Sequence, residues 1–470
     1  MEDQHLKLTA ILLYFVILFL ISYLANKKNK SSRLFASGTN SLSGLAGGLS
    51  AGAADMSNWL MMSLPAIVML RGPSVTFLAL ALAVGSFLNW TLVSRPLLRY
   101  ALDSKDAPTL ARFFREKIGA DVLFQRTLSA LSIIFFTIYL AASLVGGAIL
   151  GKTVFSLDYN IALILTFFCI TAFTTLGGFM GMSRSDFFQG LLMFFGIIAV
   201  PLVTYQNLSM DRPIVVTGAM MPAIADFGSY IAWGLGYFGQ FHIMTRFMAM
   251  RGESDLKTGR LVCTLWMLIA LVGAIATGVL GRLYYPNFPV GEEESLYFHL
   301  AQDLFSPFMT GIMIAAVLAA VIASSAAHLH ASSTYLMEDI LGSQSIGLAR
   351  FCVVIIGVVA LVIAYLSATN IFSLVGFSWA GLGAAFGPLL LFSIYWSRMN
   401  SKAAFWGMLS GACSVVLLEF MGHIGAISGF TSGFSLVPGF LISSVVIIVN
   451  GQLPEQHLQR TPSSSKLKLG

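Results

Sequence analysis

Long apolar runs of about 20 residues recur along the chain and are separated by short polar segments. About 20 residues of α-helix cross the hydrocarbon core of a bilayer. The pattern therefore predicts an all-α polytopic membrane protein with about 13 transmembrane helices. The predicted spans are 8–26, 44–70, 75–94, 124–150, 159–178, 186–205, 224–247, 262–281, 305–337, 350–367, 374–396, 403–421 and 433–450. The first is expected to be a retained helix and not a signal peptide, because no cluster of positive charge precedes it.

The basic residues are unevenly distributed among the segments that separate these spans. If the N-terminus is outside, the inside segments hold 22 of the 27 lysines and arginines, and the outside segments hold 5. Cytoplasmic loops of membrane proteins carry such an excess. We therefore predict an N-out, C-in topology. Residues 1–450 are expected to form a single transmembrane domain, and 451–470 a short cytoplasmic tail.

Composition agrees with a membrane protein and disfavours several other classes. Of the residues, 57% are hydrophobic and 10% are charged, against about 25% charged in an average soluble chain. The net charge of +6 lies in the short gaps between spans, where it acts as a topology signal, so no nucleic-acid partner is expected. No paired catalytic groups or cofactor motif are visible. The expected protein is a non-enzyme of the bacterial plasma membrane, with the lipid bilayer as its solvent.

Two of the predicted spans are rich in glycine. The second contains GGLSAGAADMS at 47–57, and the seventh contains WGLGYFGQ at 233–240. Each helix-interior glycine costs about 1 kcal/mol relative to alanine, and unwound backbone is tolerated at membrane depth only where it lines a cavity. Paired breaks of this kind are typical of inverted-repeat transporters, which predicts repeats over about 44–205 and 224–396. The alternative is that the glycines only allow close helix packing.

A carboxylate, Asp55, lies inside the first glycine-rich break. An ionisable residue at membrane depth is costly and indicates function, and a bound cation or a proton would neutralise it. An alternative, compatible with the first, is an aspartate that caps the second half-helix. A second acid, Asp186, begins the predicted sixth span. It is either part of a cation exit path or a helix-start residue favoured by the helix dipole.

The ninth predicted span carries small and hydroxyl-bearing residues, LAAVIASSAAH at 318–328. Hydroxyl and carbonyl oxygens suit a hard cation, which binds several oxygen ligands. Alone this pattern is weak evidence, because serine is common where helices pack closely. His328 and His330 are interpreted as packing or cavity-lining residues, since no metal-type constellation accompanies them.

Several stretches together resemble one family of membrane transporters. They are SAGAADMS at 50–57, FFTIY at 135–139, WGLGYFGQ at 233–240 followed by His242 and RFMA at 246–249, LAAV at 318–321, and WAGLGAAFGP at 379–388. On these residues the chain resembles the sodium:solute symporter family, and within it the sodium/proline symporters most closely. The resemblance runs from the first predicted span to the thirteenth.

The resemblance implies a LeuT-type inverted-repeat transporter fold. It also implies uptake of a small amino acid by alternating access, with proline as the leading candidate and sodium as the coupling ion. In the family pattern, backbone carbonyls, two hydroxyls and an essential carboxylate form the cation site. The matching positions are Ala53, Asp55, Met56, Ala320, Ala323 and Ser324. The substrate positions are Ser57, Asn58, Tyr139, Trp233, Tyr237 and Phe241.

Five residues depart from the family pattern. Ala323 stands where the family has a ligating serine, Asn58 where it has a glycine, and Phe241 where it has a proline. Asn40 stands where the proline-specific members have an arginine, and Arg184 where a tryptophan is usual. These differences leave open another small organic solute, and protons as the coupling ion. A channel or a membrane-embedded sensor is a weaker alternative, because a single buried carboxylate in a broken helix suits alternating access better than a continuous pore. The oligomeric state also stays open.

Overall fold

The computed structural model describes residues 2–26, 38, 40–104, 109–208, 224–366, 370–424 and 435–452. These ranges are mainly helical, and their β pairing is an isolated bridge between Leu42 and Met250. The helices are α1 Glu2–Asn26, α2 Gly44–Asp55, α3 Leu64–Arg71, α4 Thr76–Leu92, α5 Ser94–Asp103, α6 Leu110–Ile118, α7 Val122–Phe155, α8 Tyr159–Gln206, α9 Ile224–Gly236, α10 Phe241–Ala249, α11 Glu253–Tyr284, α12 Leu296–Leu304, α13 Pro307–Thr334, α14 Ile346–Leu366, α15 Ile371–Tyr395, α16 Ser401–His423 and α17 Leu436–Gln452. Short π-helical segments join α3 at its start (Trp59–Ser63) and α13 at its end (Tyr335–Ile340).

The predicted membrane-spanning architecture is confirmed, although the number of spans depends on how three features are counted. Within the described ranges, nine helices are long and apolar enough to cross a membrane, or ten if the bent pair Gly44–Asp55 and Trp59–Arg71 is one span. All ten coincide with predicted spans. The remaining three predictions correspond to the second half of α8, to the pair α9 and α10, and to α17, which has 17 residues.

Helix α8 contains two of the predicted spans, joined by a kink at Gly178. The backbone there has φ 54° and ψ −170°, a conformation that glycine adopts easily and residues with side chains rarely do. The spans 159–178 and 186–205 lie on either side of the kink. The predicted polar gap between them is instead helical, because Phe179 and Met182 in this gap are buried and pack as core residues.

Two short helices, α5 and α6, were not predicted by a search for long apolar runs. Each is too short to cross a bilayer and has one apolar face. Leu97 and Leu98 are buried in α5, and Phe113 and Phe114 are buried in α6. The Thr109 side chain caps α6 by accepting a hydrogen bond from the Arg112 amide. Amphipathic helices of this kind pack against the ends of spans, and α5 lies against α10.

The interior of the helix bundle is built around α13. The structure continues this helix through the π-helical segment to Ile340, and 89% of the residues in its most apolar stretch are buried. The corresponding figure for α1, α14 and α16 is 33%. The latter three helices therefore present most of their surface to the surroundings. Helix α13 packs against α2, α7 and α8, and this arrangement places the ninth predicted span beside the first glycine-rich break.

Candidate functional site

The first break separates α2 from the π-helical segment that leads into α3. The two halves are bent by 61°, and Met56 between them has φ −84° and ψ 81°. In a continued helix the Ser57 N–H would bond to the Ala53 carbonyl, but here it bonds to the Asp55 carbonyl at 3.0 Å. The Ala53 oxygen is thus left without its helical donor. This is how a helix break supplies a carbonyl ligand at membrane depth.

The second break, between α9 and α10, has similar local geometry. Helix α9 ends at Gly236, a 3-10 turn follows, and Gln240 has φ −82° and ψ 76°, close to the values at Met56. A Cβ at Gly236 would collide with the Trp379 indole, and a Cβ at Gly239 with the Leu382 carbonyl. These glycines therefore allow close packing on α15 as well as the break. Helix unwinding and close helix packing, the two interpretations of the glycine pattern, are both present here.

Asp55 and Tyr237 connect the two breaks. The Tyr237 hydroxyl donates to Asp55 Oδ2 at 2.7 Å, and both side chains are buried, with 3% and 1% of their surface exposed. Among the ion pairs formed within the described ranges, none involves Asp55. A buried carboxylate without a protein counter-charge needs a bound cation or a proton.

The residues that follow Asp55 contact α7. Ser57 Oγ and Tyr139 Oη lie 3.2 Å apart and share a hydrogen bond. The Tyr139 ring stacks on His328, with ring centroids 4.1 Å apart, and His328 in turn contacts His242 at 4.1 Å. His328 is therefore a packing residue next to a predicted substrate position, in agreement with its interpretation from the sequence.

Aromatic side chains form a wall beside this region. The Trp233 ring lies 6.1 Å from Trp59, 5.2 Å from Phe372 and 6.0 Å from Trp379. The Trp379 indole N–H donates to the Trp233 carbonyl at 2.9 Å, and its ring meets the edge of Tyr237 at 5.0 Å. Sequence reasoning did not assign Trp379 to the site. The signal that could have indicated it is an indole side chain within a glycine-rich motif in the middle of a predicted span.

Two predicted substrate residues have different surroundings. The Asn58 amide nitrogen donates to the Ala142 carbonyl at 3.3 Å, and its Oδ1 is buried without a partner in the described part of the chain. Phe241 is not brought into the group around Trp233. Its ring stacks on Phe386 at 4.5 Å and lies 5.9 Å from Phe114. Two other departures from the family pattern, Asn40 and Arg184, are exposed.

Helix α13 supplies the remaining predicted cation ligands. The Ser324 hydroxyl donates to the Ala320 carbonyl at 3.0 Å, which links two of these positions. Ala323 is fully buried and offers only its methyl group. The neighbouring Ser325 hydroxyl is also buried and has no hydrogen-bond partner among the described residues. Unused buried hydroxyls are uncommon in proteins, so Ser325 is an additional candidate ligand.

Asp186 forms a separate buried ion pair. Its Oδ2 accepts hydrogen bonds from Ser50 Oγ at 2.7 Å and from Arg246 Nη2 at 3.3 Å. Asp186 lies eight residues beyond the kink at Gly178 and inside α8, so the helix-start interpretation is wrong. Arg246 also donates to the His242 carbonyl at 2.7 Å. Sequence reasoning missed this pairing, although a second charge at the end of the 224–247 span could have indicated it.

Comparisons with known proteins give one family match and several similar sequences. The sodium:solute symporter family model matches residues 35–411. The osmoregulated proline transporter OpuE of Bacillus subtilis (strain 168) is 34% identical, covering 93% of this chain and 92% of its own length. The high-affinity proline transporter PutP of the same strain is 33% identical (93% and 97%). A sodium/proline symporter of Staphylococcus aureus is 33% identical (95% and 92%).

Two solved structures share the fold at low sequence identity. One is a Na+-coupled sialic acid symporter in a substrate-bound, outward-open state, with a TM-score of 0.77 at 16% identity over 95% of this chain and 97% of the other. The other is Mhp1, a nucleobase-cation-symport-1 family transporter, with a TM-score of 0.62 at 10% identity (90% and 94%). The predicted inverted-repeat transporter fold is thereby confirmed. With its two broken helices, its buried carboxylate and a family match over most of its length, this multi-pass membrane transporter belongs to the sodium:solute symporter family.

Proposed function

We propose that this chain is a sodium-coupled symporter that imports a small amino acid, with proline as the leading candidate. The observation that carries the proposal is the buried Asp55 carboxylate, which lies in one helix break and is bonded to Tyr237 in the other. It has no basic partner among the residues that the structure describes. Three relatives whose names specify proline transport support the choice of solute.

The proposed cation site lies between α2 and α13. Hard cations bind several oxygens, which the carbonyls of the unwound α2 end and the polar face of α13 would supply. The proposed ligands are the carbonyls of Ala53, Met56 and Ala320 and the hydroxyl of Ser324, with the Asp55 carboxylate as counter-charge. Ala323 lacks the hydroxyl of the family pattern, so the site has one oxygen fewer for sodium. Proton coupling is therefore the alternative. Asp186 is proposed to lie on the cation exit path, where its pairing with Arg246 would limit how tightly a passing cation is held.

The proposed solute site lies against the aromatic wall. A half-helix N-terminus at membrane depth presents amides to an anionic group, and the segment beginning at Trp59 would offer such amides to the carboxylate of an amino acid. Ser57 and Tyr139 lie beside it. The ring faces of Trp233 and Tyr237 suit the cationic nitrogen and the apolar body of a small zwitterion. Asn58 is included because it lies in the break, and Phe241 as a support for the start of α10.

The proposed membrane arrangement is N-out and C-in, in a bacterial plasma membrane, with repeats over about 44–205 and 224–396. The matching backbone angles at Met56 and Gln240 support corresponding breaks in the two repeats.

Uptake into proteoliposomes tests the function directly. Radiolabelled proline and a panel of other amino acids would be offered with a sodium gradient and a proton gradient imposed separately. We expect proline accumulation with sodium alone. Accumulation driven equally by protons without sodium would overturn the sodium assignment, and uptake of another solute with no response to proline would overturn proline.

Replacing Trp233 or Tyr237 by alanine is expected to raise the half-saturating solute concentration at least tenfold. Each ring contributes contact area to the aromatic wall, and a loss of about 1.4 kcal/mol corresponds to a tenfold change. The measurement is the initial uptake rate as a function of solute. Trp406→Ala is the control, because this tryptophan is 50% exposed on α16 and outside the site. An equal effect of Trp406→Ala would contradict a specific role of the aromatic wall in solute binding.

Asn58→Gly is expected to shift selectivity toward proline by roughly tenfold. The unpaired Oδ1 of Asn58 disfavours an apolar neighbour, because an unmet buried polar group costs about 1–3 kcal/mol. Phe241→Pro should change selectivity less, since Phe241 packs away from Trp233 and the first position of a helix tolerates proline. The ratio of uptake rates for proline and for a polar competitor such as serine measures the shift. An unchanged ratio in both variants would show that these two departures are neutral.

A further inference from the structure

A basic cavity lies outside the transport site, beside the amphipathic helices α5 and α6. Its volume is about 480 Å³, within the range of small-molecule sites. Its lining combines three cations and one carboxylate, that of Glu116, with aromatic and aliphatic surface, so the lining carries a net positive charge. The residues are Arg95, Pro96, Arg99, Tyr100, Phe113, Glu116, Lys117 and Ile394.

The ends of two spans indicate where this cavity lies across the thickness of the membrane. Helix α4 ends at Leu92 and α15 ends at Tyr395, and the Tyr395 hydroxyl donates to the Leu92 carbonyl at 2.7 Å. Tyr395 is 60% exposed and is followed by Trp396. Exposed tyrosine and tryptophan at span ends are typical of the membrane–water interface. Ile394, which lines the cavity, therefore lies at headgroup level.

The two arginines are held side by side by one carboxylate. Glu253 Oε1 accepts from Arg95 Nε at 2.8 Å, and from Arg99 Nε at 3.1 Å and Nη2 at 3.0 Å. Both side chains stay more than half exposed, at 58% and 60%. The Nη groups of Arg95, Nη1 of Arg99 and the exposed Lys117 ammonium take no part in these bonds. They are donors for a second anion.

We propose that this cavity binds the headgroup of an anionic phospholipid from the leaflet on the basic side of the membrane. The phosphodiester would lie among Arg95, Arg99 and Lys117, with the glycerol and first acyl carbons against Phe113 and Ile394. Basic pockets at the ends of spans are suited to such headgroups. The apolar part of the lining and the interfacial depth distinguish a lipid from free phosphate.

The position of the site ties lipid binding to the transport machinery. Helix α5 packs against α10, the second half of a broken helix, and Glu253 begins α11 immediately beyond it. The bonds to Glu253 link α5 to the start of α11, so a headgroup bound by the remaining arginine donors would lie directly beside that link. Binding itself does not depend on the proposed solute or coupling ion.

Native mass spectrometry of the purified full-length protein tests the proposal. Phosphatidylglycerol and phosphatidylethanolamine would be added in equal amounts, with inorganic phosphate as a competitor. The wild type should retain phosphatidylglycerol preferentially. Simultaneous Arg95→Gln, Arg99→Gln and Lys117→Gln substitutions should weaken retention roughly tenfold or more. Displacement of the lipid signal by millimolar phosphate alone would assign the site to free phosphate and overturn the lipid.

Two further variants separate this site from general charge attraction and from misfolding. Arg126→Gln, Lys257→Gln and Arg398→Gln together remove the same charge from other exposed positions and should retain the lipid. Arg95→Lys with Arg99→Lys keeps the charge and should retain most of it. An equal loss in the control triple variant, no lipid preference in the wild type, or full loss in the lysine variant would overturn the proposal.

Discussion

Asp55→Asn is expected to abolish concentrative uptake while leaving expression and membrane insertion intact. The asparagine has nearly the same shape, and its oxygen can still accept the Tyr237 hydrogen bond, so the link between the two breaks persists. The negative charge is lost, and with it the counter-charge of a bound cation. The measurement is sodium-dependent accumulation in proteoliposomes, normalised to the amount of reconstituted protein.

Tyr237→Phe is the matched control for this substitution. It removes the hydrogen bond to Asp55 and keeps the carboxylate, so accumulation should be reduced and not abolished. Wild-type accumulation by the Asp55→Asn protein would disprove the coupling role of this residue. An equally complete loss in Tyr237→Phe would show that the hydrogen bond is as necessary for accumulation as the charge.

Ala323→Ser is expected to strengthen the apparent sodium affinity by roughly 5- to 150-fold. In the proposed site, Ala323 faces the cation without an oxygen. Restoring a neutral oxygen ligand adds an interaction of about 1–3 kcal/mol, by analogy with a satisfied buried polar group, and that free energy corresponds to this range of affinity. The wild type should therefore show sodium-dependent transport with a poor apparent sodium affinity. Uptake titrated against sodium, at fixed solute, measures the change.

Ser325→Ala shows whether the missing hydroxyl is already replaced. Within the described ranges Ser325 Oγ is buried without a hydrogen-bond partner, and in the proposed site a small rotation of α13 would bring it to the cation. If Ser325 is a ligand, its removal should weaken sodium dependence, and Ala323→Ser should then have a smaller effect in the wild type. If the sodium dependence of uptake is unchanged in both variants, hydroxyl groups at positions 323 and 325 of α13 do not bind sodium.

The sequence predicted the spans and the two breaks because both depend on local composition. Membrane depth requires long apolar runs, and the glycines at 47–52 lower the helix propensity of the segment whose helix ends at Asp55. The short helices α5 and α6 escaped prediction because their apolar faces cover only half of each helix. The kink at Gly178 was missed as a helix-internal feature, since one predicted span ended at 178 and the next began only at 186.

Side-chain pairings were harder to predict than the elements that carry them. The sequence alone identified Asp55, yet its bond to Tyr237 joins residues 182 positions apart. Arg246 and Asp186 were each visible, but only the packing of α2 against both α10 and α8 brings them together. Phe241 shows the opposite case. A family position near the solute is occupied here by a ring that packs on Phe386.

The hydrogen bond between Tyr237 and Asp55 has a kinetic consequence. A tyrosine hydroxyl has a single proton to donate, and while Asp55 holds it, none is left for a solute carboxylate. In the proposed mechanism, a cation at Asp55 would weaken that bond and free the donor, which would set an order of binding, cation first and solute second. In such an order, lowering sodium raises the apparent Michaelis constant for the solute, while the maximal rate at saturating solute is preserved.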